Sequence, residues 1–343
     1  MARISKIKSD EYVVFFTTVG HLDETTDEWV LPIHGWIYEP ENSIVRKAAF
    51  ARVLLERYGL VVDEKSRGNF DRRVNLLLAD NERGKRIGIE LGGKTYVMDK
   101  SKPNGHFEGV IRVAAASLIE NGRNGKVHFR AIVGDADSRC FEGVVLLWKP
   151  EGLIVISDID DTVKVSDVSD TRSLLDHTFF LDFEPIPGMA EQYGKWSDQG
   201  AGLFFVSSSP WHLYEPLQEF FAEFGFPVAS ASLKSVRLRD LSFLNLFKEG
   251  TQTKPMPIAS LLERFPKREV ILVGDSGEED PEVYAGIYQR FRDQVKSIYI
   301  RSASGAAVDD DRFSRVFAGI PADRWYLFHE AKEIGLRENL RDS

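Results

Sequence analysis

Residues Leu153–Lys164 have the sequence LIVISDIDDTVK, in which an aliphatic run is followed by a group of acids. The run Leu153–Ile156, bounded by polar residues, is typical of a strand that is buried in a parallel sheet. Asp158, Asp160 and Asp161 would then lie at the carboxyl end of that strand, where open α/β sheets bind their ligands. Because like charges repel, we expect these acids to hold a cation or a proton.

The sequence after Leu153 alternates between apolar strands and amphipathic helices. This alternation indicates a parallel, doubly wound sheet, and we assign it to a domain of residues 151–343 that follows a Pro-Gly break. The predicted strands are Ile154–Ile156, Leu203–Val206, Val270–Val273 and Ser297–Ile300. The predicted helices are Pro187–Gln199, Tyr214–Phe224, Pro257–Phe265 and Pro281–Phe291, with a C-terminal helix near Arg324–Leu340.

Residues 1–150 are predicted to form a separate β-rich domain, because short β-prone runs alternate with turn residues. This pattern favours a sandwich-like fold, and one helix, Ile44–Tyr58, interrupts it. The predicted strand-forming runs are VVFFTTVGHL, WVLPIHGWIY, RRVNLLLAD, RIGIELGGKTYVMD, HFEGVIRV, VHFRAIV and FEGVVLLW. Gly88–Thr95 fits the phosphate-loop pattern, but it lies between two strand-like runs, so we interpret it as a hairpin turn. The residues themselves do not reveal the role of this domain.

The overall composition excludes several classes of protein. A net charge of −9 over 343 residues argues against a nucleic-acid-binding protein, which usually presents a basic face. No stretch is apolar enough for a transmembrane helix, and the N-terminus lacks the apolar region of a secretory signal. A single cysteine, Cys140, allows no intramolecular disulfide. We therefore expect a cytoplasmic protein that meets a membrane only at its surface.

The acid pair Asp158 and Asp160 suits phosphoryl transfer. One carboxylate can attack phosphorus while its neighbour protonates the departing alkoxide. The alternative interpretation is a calcium-binding or structural acidic loop. Calcium loops distribute their ligands over about a dozen residues, so the preceding apolar strand makes this alternative weaker.

Three further groups follow predicted strands or precede helices. Ser207 follows the second strand and can donate to a phosphate oxygen, although an N-cap is the ordinary role of such a serine. Lys254 precedes a helix, where a solvent-exposed lysine is the ordinary interpretation. Asp275 and Asp280 follow the third strand and offer oxygen ligands to a hard cation.

The order of these groups resembles the haloacid-dehalogenase-type phosphatases, whose pattern is DxDx[TV], then Ser or Thr, then Lys, then GDxxxxD. The resemblance implies that Asp158 is the nucleophile and that Asp160 is the general acid and base. It also implies that Ser207 and Lys254 bind and neutralise the phosphoryl group.

The same resemblance implies a Mg²⁺ cofactor. Its expected ligands are Asp158, Asp275 and the main chain of Asp160. Asp280 is expected to orient these ligands or to hold a metal-bound water, and Glu279 is the alternative for that position.

Longer segments narrow the resemblance. SDIDDTVK, FFVSSSPWHLYEPLQEFFAEFGFP and KPMPIASLLERFPKREVILVGDSGEEDPEVY are similar to the catalytic domain of actin-patch-protein type phosphatidate phosphatases, which are relatives of the lipins. The similarity covers residues 152–301 and implies conversion of phosphatidate to diacylglycerol at a membrane surface. Two alternatives stay open: a phosphatase for a soluble or protein phosphoester, and a non-catalytic lipid-binding module on the same fold. Protein partners cannot be read from the residues.

Two features bear on the substrate. Fewer than fifty residues separate the acid pair from Ser207, which predicts a small or absent cap and an open cleft. Aromatic residues near the motifs would form either an apolar rim of this cleft or part of the core, and they are Phe179, Phe180, Phe183 and Trp211. A small basic group would meet either an anionic head group or only solvent, and it consists of Lys234, Arg237 and Arg239.

Overall fold

The structure is a computed structural model that describes residues 3–118, 125–235, 254–302 and 310–339. The chain divides into two compact units. The first comprises Met1–Ser43 and Asn75–Pro150, and the second comprises Ile44–Val74 and Glu151–Ser343. Residues 44–74 therefore group with the second unit, although they precede the predicted boundary near residue 150.

The described strands of the first unit form one sheet. They are Tyr12–Phe16 (β1), Thr18–Asp23 (β2), Glu28–Glu39 (β3), Asp80–Asn81 (β4), Arg86–Leu91 (β5), Lys94–Lys100 (β6), His106–Ala114 (β7), Lys126–Ala131 (β8) and Glu142–Trp148 (β9). The hydrogen-bonded order is β1-β3-β2-β9-β8-β5-β6, and β4 and β7 also pair with β3. All pairs are antiparallel except β2 with β9. The described strands are thus joined in one sheet, whereas the sequence pattern had favoured the two sheets of a sandwich.

The long strand β3 shows how this sheet builds its core. Leu31, Ile33 and Ile37 are at most 1% exposed, as expected for alternate residues that face inward. The intervening inward position is Gly35, where a Cβ atom would overlap the ring of Phe107. Gly35 therefore makes room for a large core side chain on the neighbouring strand.

One predicted strand was wrong, and one predicted turn is confirmed. The run RRVNLLLAD lies largely in a helix, Arg67–Leu77 (α2). Phe70, Val74 and Leu77 are buried there at a helical spacing, which outweighs the apparent alternation. The predicted hairpin joins β5 to β6 through Gly92 and its neighbour, both with positive φ.

The described strands of the second unit are all parallel. They are Gly152–Ser157 (β10), Gly202–Pro210 (β11), Ser230–Lys234 (β12), Arg268–Asp275 (β13), Val295–Arg301 (β14) and Trp325–Phe328 (β15). The order is β12-β11-β10-β13-β14-β15. Four of these strands were predicted, and the parallel sheet is confirmed.

The described helices belong mainly to the second unit. They are Ile44–Tyr58 (α1), α2, Ala115–Leu118 (α3, in the first unit), Thr171–Phe179 (α4), Met189–Asp198 (α5), Tyr214–Glu223 (α6), Pro255–Arg264 (α7), Asp280–Arg290 (α8), Asp310–Val316 (α9) and Lys332–Asn339 (α10). The predicted C-terminal helix near Arg324–Leu340 was only partly right, because β15 occupies its first residues and α10 begins at Lys332. Among the described residues, no helix combines the length and apolarity needed to cross a membrane.

Strand β10 is the point at which the sheet changes direction. The chain continues from β10 to β11 on one side and later reaches β13 on its other side. Ligands bind outside the carboxyl ends of the strands at such a switch point. Ser157, Val206 and Asp275 lie at or near the carboxyl ends of these three strands.

Helices α1 and α2 pack on α4 within the second unit. The ring of Phe50 lies 5.4 Å from that of Phe179, and the ring of Phe70 lies 5.4 Å from that of Phe180. Arg73 of α2 donates hydrogen bonds to three backbone carbonyls near the carboxyl end of α4, those of residues 177, 178 and 181. Because these carbonyls have no partner within the helix, Arg73 acts as a cap.

Candidate active site

Asp158 directly follows β10 and is 1% exposed. Its amide donates a 2.9 Å hydrogen bond to the carbonyl of Val273, which fixes the backbone at the switch point. One carboxylate oxygen, Oδ1, lies 2.8 Å from Nζ of Lys254, and Oδ2 accepts no hydrogen bond within the described part of the chain. Burial raises the pKa of Asp158 well above its usual value, Lys254 opposes this, and nearby carboxylates reinforce it.

Lys254 is a buried cation surrounded by carboxylates. It immediately precedes α7 and is 2% exposed. Its ammonium group lies 2.8 Å from Asp158, 2.8 Å from Glu278 and 2.5 Å from Asp280. Burial alone would lower the pKa of Lys254, but the three carboxylates raise it well above its usual value. Lys254 therefore stays charged, and it is not the solvent-exposed lysine of the alternative interpretation.

Three further carboxylates come from the end of β13 and the turn after it, and they belong to Asp275, Glu278 and Asp280. Asp275 is fully buried and accepts hydrogen bonds from the amides of Gly277 and Glu278 on Oδ1, and its Oδ2 has no partner among the described residues. Burial and the neighbouring carboxylates raise the pKa of Asp275 well above its usual value. A Cβ atom at Gly274 would collide with the carboxylate of Asp280, so only glycine allows this turn to close.

The acids of this turn differ in which of them reach the site. Asp280 is buried against Lys254, whereas Glu279 is exposed at the start of α8. Glu278, which the sequence analysis had not selected, contacts Lys254. In a run of three adjacent acids, spacing alone does not tell which side chain turns inward.

Asp158, Asp275 and Glu278 form a candidate metal centre. One oxygen from each lies within 4.8 Å of the others. Oδ2 of Asp158 and Oδ2 of Asp275 are buried, have no hydrogen-bond partner among the residues that the structure describes, and are available to a cation. Hard carboxylate oxygens are the ligands that Mg²⁺ prefers, so this donor set fits the expected cofactor. The sequence analysis expected Asp158, Asp275 and the main chain of Asp160 as ligands, with Asp280 in a supporting role, and it did not include Glu278.

Asp160 is buried and contacts a group of hydroxyls and a lysine. Its Oδ2 accepts hydrogen bonds from Ser207 at 3.1 Å and Ser209 at 2.9 Å. Its Oδ1 accepts one from Ser166 at 2.7 Å and lies 2.9 Å from Nζ of Lys164. Burial alone would raise the pKa of Asp160, but the Lys164 charge and these hydroxyls hold it below its usual range.

The third acid of the motif, Asp161, has a structural role. It adopts a positive φ of 53°, and its carboxylate accepts hydrogen bonds from the amides of residues 166, 167 and 168. Arg301 donates to its carbonyl at 2.7 Å. This loop brings Ser166 and Lys164 to Asp160. Neither residue was selected from the sequence, although both follow the acid motif closely in VKVS.

The other predicted side chains are placed as follows. Ser207 lies in the site, where it donates to Asp160 and accepts a hydrogen bond from the Ser209 amide. The aromatic residues considered for an apolar rim are all at most 9% exposed, and they are Phe179, Phe180, Phe183 and Trp211. Lys234 ends β12, and Arg237 and Arg239 lie outside the described residues.

Comparison with known proteins agrees with this geometry. Residues 153–302 match the family described as phosphatidate phosphatase APP1, catalytic domain. This segment is therefore similar to that catalytic domain. The resemblance recognised in the sequence motifs is thereby confirmed, and the described site residues Asp158, Ser207, Lys254 and Asp275 all lie within the matched segment.

Two fungal proteins are similar to this chain over more residues than the family match covers. Phosphatidate phosphatase APP1 of Saccharomyces cerevisiae is 35% identical over 165 residues, which are 47% of this chain and 28% of the relative. An uncharacterized protein of Schizosaccharomyces pombe is 30% identical over 227 residues, which are 61% of this chain and 37% of the relative. The matched region thus spans less than two fifths of each relative. A phosphatidate phosphatase is by definition a phosphoric monoester hydrolase.

Proposed function

We propose that this protein is a Mg²⁺-dependent phosphatase that converts phosphatidate to diacylglycerol through an aspartyl-phosphate, on a haloacid-dehalogenase-like domain. The observation that carries this proposal is the buried carboxylate of Asp158 at the switch point: one oxygen lies beside Lys254, and the other accepts no hydrogen bond from any described residue. The identity of the substrate, phosphatidate, is taken from the family that residues 153–302 match.

In the first step, an oxygen of Asp158 attacks phosphorus while the bond from phosphorus to the lipid alcohol oxygen breaks. Only the ionised carboxylate is nucleophilic, and burial works against that form. The Lys254 ammonium at 2.8 Å favours it. Asp158, Asp275 and Glu278 would hold Mg²⁺, which when bound would offset the like charges of the nucleophile and the phosphoryl group.

In its protonated form, Asp160 would give a proton to the leaving alkoxide, and the resulting carboxylate would accept a proton from the water that hydrolyses the aspartyl-phosphate, which restores the protonated form. The contacts with Lys164 and the serines support the second part of this role, because they stabilise the ionised carboxylate that accepts a proton. They also hold the carboxylate in one orientation.

The test is release of inorganic phosphate from phosphatidate in detergent micelles, with and without Mg²⁺. We expect Asp158→Asn to abolish release and Glu279→Gln, an exposed acid of the same region, to leave it unchanged. A soluble phosphomonoester such as p-nitrophenyl phosphate is measured in parallel. Activity on the soluble ester alone would favour a soluble substrate, and activity retained by Asp158→Asn would refute the nucleophile.

A further inference from the structure

Helix α1 exposes apolar side chains that a surface helix normally buries. Ile44 is 80% exposed, Val45 is 78% exposed and Leu55 is 49% exposed. Val61, just after the helix, is 62% exposed. Ten large apolar residues are exposed in the described part of the chain, and four of them lie between residues 44 and 61.

These residues form a second face of α1, distinct from its core face. Phe50 and Leu54 point into the second unit and are at most 4% exposed. Viewed down the helix axis, with about 100° between successive residues, the exposed side extends from Ile44 to Ala49 and covers roughly 140° of the circumference. Five of the seven residues on that side are apolar, and the full set is Ile44, Leu55, Ala48, Arg52, Val45, Glu56 and Ala49.

The charge of this segment is opposite to that of the rest of the chain. Residues 44–74 carry eight basic and four acidic side chains, a net charge of +4. Since the whole chain carries −9, the remaining residues carry −13. Arg46 and Arg57 are exposed beside the apolar face. A helix with an apolar face flanked by arginines is typical of proteins that bind the surface of an anionic membrane.

Contacts within the second unit connect this segment to the candidate active site. The guanidinium of Arg73 lies 3.9 Å from the centre of the Phe183 ring, and Nζ of Lys164 lies 5.0 Å from the same centre. Lys164 in turn contacts Asp160 at 2.9 Å. Residues 163–165 also pair with residues 184–186, so the segment between them, including α4, begins and ends beside the site. Helices α1 and α2 are therefore connected to the site through α4, Phe183 and Lys164.

We propose that the exposed face of α1 docks on a membrane surface that contains anionic lipids. The apolar side chains would enter the interface, and the arginines would contact lipid phosphates. A second copy of this chain fits less well as the occupant, because two segments of +4 charge would be brought together. This inference rests on the proposed function, because the purpose of docking would be to bring the site to a lipid substrate.

The test is co-sedimentation of the full chain with vesicles of phosphatidylcholine alone and of four parts phosphatidylcholine to one part phosphatidylserine. The test variant is Ile44→Ser/Val45→Ser/Leu55→Ser. The matched control is Met256→Ser/Leu336→Ser, which changes two apolar residues of the same unit that are 80% and 63% exposed. A charge variant, Arg46→Gln/Arg57→Gln, tests the electrostatic part.

We expect the wild-type chain to prefer the anionic vesicles and the triple variant to bind them at least about tenfold more weakly. The control should bind within about twofold of wild type, and the charge variant should lose mainly the preference for phosphatidylserine. All variants should keep the wild-type rate on p-nitrophenyl phosphate if that ester is a substrate, and the wild-type melting temperature, since the altered side chains are exposed.

Equal vesicle binding by wild type and triple variant would overturn the docking surface. The docking surface would also be overturned if the only change in the triple variant were the loss of a dimer, measured by sedimentation velocity without lipid. Phosphatidylserine is not a phosphomonoester, so its vesicles report on docking even if the chain releases no phosphate from phosphatidate. Failure of the proposed function and failure of docking are therefore distinguishable.

Discussion

Replacing Lys254 with methionine would remove the cation from a buried group of carboxylates while keeping a side chain of similar length. In the wild-type chain, Lys254 contacts Asp158 and Asp280, which are at most 1% exposed, and the more accessible Glu278. Removing one partner of a buried ion pair costs about 3–5 kcal/mol, because the other charge is left uncompensated. We expect the free energy of unfolding of the second unit to fall by about that amount near neutral pH.

The loss should depend on pH in a defined direction. Burial has already raised the pKa of Asp158, and without Lys254 it rises further. A carboxyl whose pKa is higher in the folded than in the unfolded chain binds more protons when folded, so its contribution to stability increases as pH falls. The deficit of Lys254→Met relative to wild type should therefore be larger near pH 7.5 than near pH 5.5, both in the presence of EDTA.

The assay is urea unfolding followed by tryptophan fluorescence at both pH values. Lys332→Met is the control, because the Lys332 side chain is 73% exposed and its replacement should change the free energy of unfolding by less than about 0.5 kcal/mol. An unchanged urea midpoint for Lys254→Met, or a deficit of equal size at both pH values, would refute this account of the buried charges.

Three further predictions address the metal centre, the helix cap and a buried histidine. Glu278→Gln should weaken Mg²⁺ binding, measured by isothermal titration calorimetry, at least about tenfold. The control Glu279→Gln changes an exposed acid and should leave Mg²⁺ binding unchanged. Equal effects of the two variants on Mg²⁺ binding would show that Glu278 is not part of the centre. Arg73→Met should lower the free energy of unfolding by about 2–4 kcal/mol, because it leaves carbonyls of α4 without donors. The control Arg72→Met changes an exposed arginine and should lower it by less than about 1 kcal/mol. A loss as large as that of Arg73→Met would contradict the cap. Burial lowers the pKa of His212 to about 4, so the unfolded chain takes up a proton that the folded chain does not, and stability falls as pH drops below about 6.5. His212→Phe should therefore lose less stability than wild type between about pH 7 and pH 5, by up to roughly 2 kcal/mol, and an equal loss would contradict the buried neutral histidine.

The sequence predicts the candidate site well where the fold itself brings residues together. Asp158 follows β10 and Asp275 ends the adjacent parallel strand β13, so the pairing of Ser157 with Val273 brings the two acids close together. Buried strands of this kind are recognisable from their apolar runs, and the acids that end them are therefore predictable. Lys254 could be selected only through the family pattern, because nothing around a single lysine indicates burial.

The partners of Asp160 could not be predicted in the same way. Ser166 and Lys164 reach it only because the carboxylate of Asp161 binds three successive amides and turns the loop back. Such a loop has no periodicity, so its path depends on hydrogen bonds that a pattern does not encode. Helix α2 shows the converse difficulty. Its apolar residues fit both a strand and a helix, and the packing of Phe70 and Val74 selects the helix.

The placement of residues 44–74 in the second unit has a consequence for synthesis on the ribosome. Phe50 and Phe70 are made more than a hundred residues before Phe179 and Phe180, against which they pack. At about 5–20 residues per second, translation leaves them without these partners for on the order of 5–25 s. Conversely, a chain that starts at residue 151 never receives α1 and α2, and its α4 would lack both the aromatic contacts and the Arg73 cap. The smallest independently folding unit that keeps these contacts should therefore begin at or before residue 44.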